Sequence, residues 1–262
     1  MKKLITTALV AGLFLGCATT NNQTKITPLN LKVLKEYQVS QTSLRPLNNG
    51  YVFFKTGIRG VDIYYLDKNY NLLKKVTTKS IEPFKLKIEN NKIYILGEKN
   101  NKPIILMYDD KGKLIKSYSV GNKFDIPADI IDNKVLLTKY NNGSYISFGK
   151  IDLKSTKNLT ATSVIKVDGG YMIFGTILEK SEDLFIAFIK NNKLKWSKVY
   201  DFGMDNGIES VKVENNEIYL NVFSTDYMGA KTEYKIVLDK NGNIIKKSKT
   251  LEIKELPPRF RT

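Results

Sequence analysis

The sequence predicts an all-β chain folded as a β-propeller, a ring of four-stranded antiparallel blades, most simply five of them. Three observations predict it. A corner built from Asn, Asp or Gly recurs ahead of an apolar run, so that Tyr51, Ile93, Val135, Tyr171 and Ile218 open equivalent strands at spacings of 42, 42, 36 and 47 residues. A second such corner follows in each unit, around Asp67, Asp110, Asp152, Asn191 and Asp239. The strands around these corners grade from richly apolar to lysine-bearing, as in sheets whose inner strands are buried on both faces and whose outer strand meets water. A stacked sandwich buries one face of each sheet and would show alternation instead. Six blades or an irregular open array are the alternatives.

The elements follow in order. The first corner reads "LNNGYVFF", "ENNKIYILG", "IDNKVLLT", "VDGGYMIFG" and "ENNEIYLN" in the five units. A two-residue hairpin needs positive φ, which Gly adopts freely and Asn or Asp tolerate best. Before this corner lies an alternating strand, as in Phe84 to Glu89. Two apolar strands come next, the second exemplified by Ile104 to Tyr108 and Leu184 to Ile189. The fourth is polar, as in "LLKKVTT" and "IIKKSKT". Five units fill residues 41 to 253. "LKVLKEYQV" from Leu31 reads as another outer strand, so either it or "IIKKSKTLEI" closes the ring.

The first residues have a different character. "MKKLITTALVAGLFLGC" has a basic start, an apolar stretch from Leu4 to Leu15 and a small Gly16 before Cys17. This is the form of a secretory signal, and the stretch is too short for the roughly 20 residues of a bilayer span. Phe14-Leu15-Gly16-Cys17 resembles the lipobox of bacterial lipoproteins, although Phe14 and Leu15 depart from its usual Leu and small residue. The resemblance implies a diacylglycerol on the Cys17 thiol, a third acyl chain on its amine and, with Ala18 rather than Asp next, the outer membrane of a two-membrane envelope. The expected organisation is therefore a signal peptide over 1–16, a lipidated polar tether over 17–30, the propeller over 31–254 and a tail over 255–262. Cys17 is the only cysteine, so no disulfide can form within the chain.

The formal charge is +16, from 42 basic and 26 acidic residues. Only Arg45, Arg59, Arg259 and Arg261 are arginine, against the planar recognition of phosphate that nucleic-acid binders favour. The charge fits attraction to anionic envelope polymers, with no specific nucleic-acid site.

A resemblance covers about residues 165 to 246. Trp196, Lys198, Tyr200, Asp168, Gly169, Gly170, Tyr171 and Gly175 match the W-x-K-x-Y-G-G and D-G-G-Y-x-x-x-G repeat of bacterial secreted and lipoprotein β-propellers, with Asp201-Phe202 standing where the family has Gly-Gly.

Catalytic signals are few. The chain has no histidine, which removes the commonest general base, nucleophile partner and metal ligand. Asp67-x-Asn69-x-Asn71 and Asp239-x-Asn241-x-Asn243 spell part of a calcium loop, yet Thr78 and Thr250 stand where its bidentate Glu belongs, so both read as plain turns and no metal site is assigned. "DFG" at Asp201 to Gly203 lacks its kinase context and reads as a loop between blades. "TGIRG" around Gly57 and Gly60 runs into strand rather than helix, against a phosphate loop. A quinone-cofactor propeller would need repeated tryptophans, and Trp196 is alone, so no cofactor is expected. Tyr70, Tyr140 and Tyr227 fall in loops, where function sometimes resides. The expectation is a lipid-anchored, non-enzymatic interaction or assembly scaffold with an envelope protein partner. A carbohydrate-binding module or a carboxylate-based enzyme at the channel mouth is the alternative.

Overall fold

In a computed structural model, the described residues are Glu36, 44–57, 60–227 and 229–253. The repeat is realised as five four-stranded antiparallel sheets arranged as a five-bladed β-propeller. Blade 1 holds β1 (Arg45–Leu47), β2 (Gly50–Gly57), β3 (Gly60–Leu66) and β4 (Leu72–Thr77). Blade 2 holds β5 (Glu82–Glu89), β6 (Lys92–Lys99), β7 (Lys102–Tyr108) and β8 (Leu114–Ser119). Blade 3 holds β9 (Ile126–Ile131), β10 (Lys134–Tyr140), β11 (Ser144–Phe148) and β12 (Ile151–Leu153). Blade 4 holds β13 (Asn158–Val167), β14 (Gly170–Leu178), β15 (Glu182–Lys190) and β16 (Lys193–Tyr200). Blade 5 holds β17 (Asp205–Glu214), β18 (Glu217–Thr225), β19 (Lys231–Leu238) and β20 (Ile244–Ile253).

The corners form as their composition requires. Asn90-Asn91, Asp132-Asn133, Asp168-Gly169 and Asn215-Asn216 all have positive φ and join the first two strands of blades 2 to 5. The third unit departs from expectation at its second corner. Asp152 lies inside β12, and the turn between β11 and β12 is the shorter Gly149-Lys150. Gly149, at φ 61, supplies the left-handed residue there, so Asp152 is left to pair with Ser147 across the strands. The outer strand of blade 5 is β20, in the order β17-β18-β19-β20. The rival segment from Leu31 lies outside the described residues apart from Glu36.

Because every blade is a meander, its first and third hairpins emerge on one side of the disc. We name this the corner face. The second hairpins and the links between blades emerge on the other, the link face. Hydrogen bonds tie the corner face together: Asn48 N donates to Asn91 Oδ1, and Asn49 Nδ2 to Asp110 Oδ2.

Apolar clusters weld neighbouring blades. Val52, Ile63 and Tyr65 meet Ile93 and Ile95 between blades 1 and 2; Leu136, Ile146 and Phe148 meet Leu159, Ile173 and Ala187 between blades 3 and 4. Met172, Phe174 and Ile186 meet Ile218, Leu220 and Ile236 between blades 4 and 5. Burying one such side chain is worth about 1.5–3 kcal/mol.

The W-x-K-x-Y triplet forms a further clamp. Trp196, Lys198 and Tyr200 stand at alternate positions of β16, so all three project from the same side of blade 4. They reach the Asp239–Asn243 loop of blade 5, where a Cβ on Gly242 would lie 2.5 Å from the indole. Lys198 Nζ donates to Asn243 Oδ1, and the Tyr200 hydroxyl to the Gly242 carbonyl. Gly242 also sits at φ 75, so both space and backbone demand glycine.

Candidate functional site

The channel is lined by the first strand of each blade, and its chemistry is set by β-bulges. Phe84, Ala128, Thr162 and Glu209 are the extra residues, as the register jumps across them show. In blades 2, 4 and 5 the jump falls at the same height, giving Lys85, Ser163 and Ser210 equivalent positions. In blade 3 it falls two pairs nearer the corner and places Asp129 level with Lys87. A bulge re-aims the side chains beside it. Here it assembles one polar cluster: Asp129, 4% exposed, lies 2.8 Å from Lys87 Nζ and 3.5 Å from Lys85 Nζ. Its carboxylate also accepts from the amides of Ile130 and Val164. Lys85 donates in turn to the Thr162 carbonyl and Ser163 Oγ. Burial pulls the Lys85 ammonium below its ordinary value, Asp129 opposes that pull, and Lys87 adds to it. Three blades are thereby pinned across the channel. The cluster offers one carboxylate, already held by two amines and two amides, so it has no acid–base pair of the kind hydrolysis needs.

On the corner face, Asp132 organises a second network. Lys166 Nζ and the Tyr171 hydroxyl donate to it at 2.9 Å, and Lys134 donates to Tyr171 while lying 4.4 Å from its ring centroid. Lys166 and then Tyr171 hold the Asp132 carboxyl below its usual range. Lys75 and Thr77 do the same for Asp62, as do the side chain and backbone of Asn71 for Asp67. A carboxyl whose folded pKa is depressed contributes stability that is full above about pH 4 and is lost as pH falls through the folded value. Urea midpoints should therefore drop below about pH 4, and Asp132→Asn should make that drop shallower. Midpoints that do not move between pH 5 and pH 2.5 would contradict it.

The Asp67 and Asp239 loops are turns. Asp67 Oδ1 accepts from the amides of Asn69 and Asn71 at 2.8 Å while Oδ2 accepts from Asn71 Nδ2, and Asp239 repeats the pattern. Those lone pairs are directed at N–H donors. Among the described residues no three His, Cys, Asp or Glu side chains gather as a metal site.

The link face carries the exposed aromatics. Phe124, 57% exposed, sits at φ 72 in the link from blade 2 to blade 3, a backbone region that bulky residues seldom enter. Buried Asp125 fixes it there: its carboxylate accepts from Asn122 N at 2.7 Å and from Tyr140 N at 3.3 Å. Phe124 N donates to the Asn101 carbonyl, and the Lys123 ammonium lies 4.8 Å from the Phe124 ring centroid. Tyr140 is half exposed beside it, and Ile126 and the bulged Phe84 are also exposed near the same end of the channel. Next to Tyr140 a cleft of about 240 Å³ runs between the β10–β11 hairpin and the link into blade 4, lined by Asn141, Asn142, Ser144, Ser155, Thr156 and Asn158 among others.

The three tyrosines expected in loops therefore separate, and Tyr140 is instead the last residue of β10, paired with Ser144. Tyr140 and Tyr227 are exposed on the link face. Tyr70 stacks on Tyr51 at 4.7 Å between centroids, on the corner face, and serves packing. Phe124 lacked a sequence signal, because "GNKFDIP" gives no hint that Phe occupies a left-handed position. Asp201 to Gly203 lies between β16 and β17, as a blade link. Cys17 and the segments 1–16, 17–30 and 255–262 lie outside the described residues. Among those described, no helix is long and apolar enough to cross a membrane.

The architecture and the site define a β-propeller with an ionic cluster joining the inner strands of three blades and an aromatic link face. No protein-family model and no curated protein matches the chain. Solved structures similar to it include Drosophila Plexin A in complex with Semaphorin 1b, at 9% identity and a TM-score of 0.49 over 76% of this chain and 52% of that one. Another is a subtype N10 neuraminidase-like protein of A/little yellow-shouldered bat/Guatemala/060/2010, at 11% identity and 0.43 over 60% and 54%. The β-propeller domain of the Trilobed protease from Pyrococcus furiosus is similar at 13% and 0.43 over 81% and 80%. The chain spans about half the length of the first two.

Proposed function

We propose that this protein is a non-enzymatic interaction scaffold of the cell envelope, tethered by lipid on Cys17 and binding a partner protein through its link face. The observation that supports this most is Phe124. An aromatic ring held in water on a disfavoured backbone, by a buried carboxylate, has no packing role to explain its position. Exposed aromatic anchors beside a tyrosine are the usual centre of a protein interface. The cross-linked channel supports binding rather than catalysis.

The test is a photo-crosslinking residue in place of Tyr140, in the lipidated protein in its own cells. A discrete protein adduct that disappears with Phe124→Ala is expected. Capture of lipid or polysaccharide alone would remove the scaffold reading. A Cys17→Ala variant that stayed firmly on the membrane would remove the anchor.

The cleft beside Tyr140, lined by amides and hydroxyls together with Tyr145, Lys154 and Lys157, favours a second reading, a carbohydrate module, because sugars are held by such polar groups and by an aromatic face. Polysaccharide adducts at Tyr140, insensitive to Phe124→Ala, would mark that outcome.

A further inference from the structure

We propose that the corner face of the disc rests on an anionic lipid bilayer, with aliphatic side chains of the outer strands set among the headgroups and lysines around them on lipid phosphates. This rests on the reading that the protein works at a membrane, and it adds which side of the disc faces that membrane.

The outer strands begin at the corner face, and three of the five begin alike, with a fourth close to them. Blade 1 opens with Leu72-Leu73-Lys74, blade 2 with Leu114-Ile115-Lys116 and blade 5 with Ile244-Ile245-Lys246, while blade 4 opens with Lys193-Leu194-Lys195, one aliphatic between two lysines. Each of these strands starts with a β-bulge, whose extra residue is Leu73, Ile115 and Ile245 in blades 1, 2 and 5 and Lys195 in blade 4. A bulge re-aims the side chains beside it, so the two aliphatics of a pair need not point to opposite sides. Here both are exposed in blades 1, 2 and 5, Leu73 to 64%, and so is Leu194. Blade 3 lacks the pattern, since its short β12 opens with half-buried Ile151 followed by Asp152.

Exposed apolar residues scattered singly need no explanation. These recur at one height around the perimeter, which places them in a common plane.

Charge selects what meets that plane. Lys68, Lys111 and Lys240 occupy the third hairpins, and Lys116, Lys195 and Lys246 follow the aliphatics; all six are exposed. None is in an ion pair among the described residues. The acidic residues of the same hairpins are already engaged: Asp67 and Asp239 in their own turns, Asp109 by the amides of Lys111 and Lys113, and Asp110 by Asn49. The first hairpins of the same face carry carboxylates too, and these are likewise engaged: Asp132 by Lys166, Asp168 by Lys190, Glu214 by Lys212, Glu89 by the Asp132 amide and Glu217 by the Tyr219 hydroxyl. Aliphatics interleaved with ammonium groups fit an anionic bilayer, into which the first insert and to whose phosphates the second bind. A soluble polyanion would use the lysines and leave the aliphatics in water. The orientation turns Phe124, Tyr140 and Tyr227 away from the membrane.

The test is lysine acetylation footprinting of the full lipidated chain, read by mass spectrometry, in solution, on phosphatidylglycerol vesicles and on phosphatidylcholine vesicles. On phosphatidylglycerol, Lys68, Lys116, Lys240 and Lys246 should lose reactivity several-fold while Lys99, Lys123 and Lys180 of the link face keep theirs. The triple variant Leu73→Ser, Ile115→Ser, Ile245→Ser should restore reactivity at the rim, with an unchanged circular dichroism spectrum. Protection of the link face, equal protection on both lipids, or protection unchanged in the triple variant would overturn the proposal. If the chain sediments with vesicles but its rim lysines react as in solution, the orientation is wrong and the membrane reading stands. If it does not sediment at all, both fail.

Discussion

Asp129→Ala should cost about 3–5 kcal/mol of unfolding free energy, the range for removing one partner of a buried ion pair. The carboxylate is the single anion between two lysines and the acceptor for two amides in adjoining blades. Its loss leaves the half-buried Lys85 and Lys87 facing each other without a counter-charge. It also leaves the Ile130 and Val164 amides without their acceptor, each worth about 1–3 kcal/mol when buried and unsatisfied. Asp129→Asn keeps an oxygen for one amide but not the charge, so it should fall between. Adding Lys85→Met and Lys87→Met to Asp129→Leu should recover part of the loss, because an apolar set replaces an ionic one at little net cost. Urea unfolding followed by circular dichroism reads all of these. A loss below about 1 kcal/mol for Asp129→Ala would mean that water screens the cluster as it does a surface pair.

The architecture was legible because it is written by repetition. Each corner needs residues that accept positive φ, and each core strand must be apolar on both sides, so five copies of one pattern reinforce one another. "VDGGYMIFG" shows how far this goes. Gly169 carries the φ of 69 that the turn needs, and a Cβ on Gly170 would meet the Ile189 carbonyl at 2.5 Å, so the first glycine turns the chain and the second lets strands approach. The second corner of blade 3 was misplaced because "FGKIDL" turns on Gly149-Lys150, while its Asp152 imitates the corner Asp of blades 1, 2 and 5. The site was less legible for a different reason. Bulges in the inner strands move Asp129 against Lys85 and Lys87 from more than forty positions away, and a bulge leaves no mark in the hydrophobic pattern. Phe124 was invisible because its left-handed backbone is imposed by Asp125 and Tyr140, not by its own chemistry.

Phe124→Gly should separate stability from function. At φ 72 a glycine relieves a strain of order 1–3 kcal/mol, part of which is offset by the greater freedom of glycine in the unfolded chain. The variant should be as stable as the parent or more stable by up to about 1 kcal/mol. Partner binding should weaken by about 2 kcal/mol or more, roughly thirtyfold, as for loss of an aromatic anchor. Phe124→Ala keeps the strain and loses the ring, so its binding loss should be similar without the gain in stability. Lys123→Gln removes the ammonium beside the ring and should have the smaller effect, since an exposed cation over an aromatic face contributes about 0.5–1 kcal/mol. The measurements are urea midpoints for the three variants and the yield of the Tyr140 crosslink in each. A stabilised Phe124→Gly with undiminished crosslinking would leave the strained loop without a binding role. A destabilised one would mean that the ring packs against the disc and that its exposure does not serve recognition.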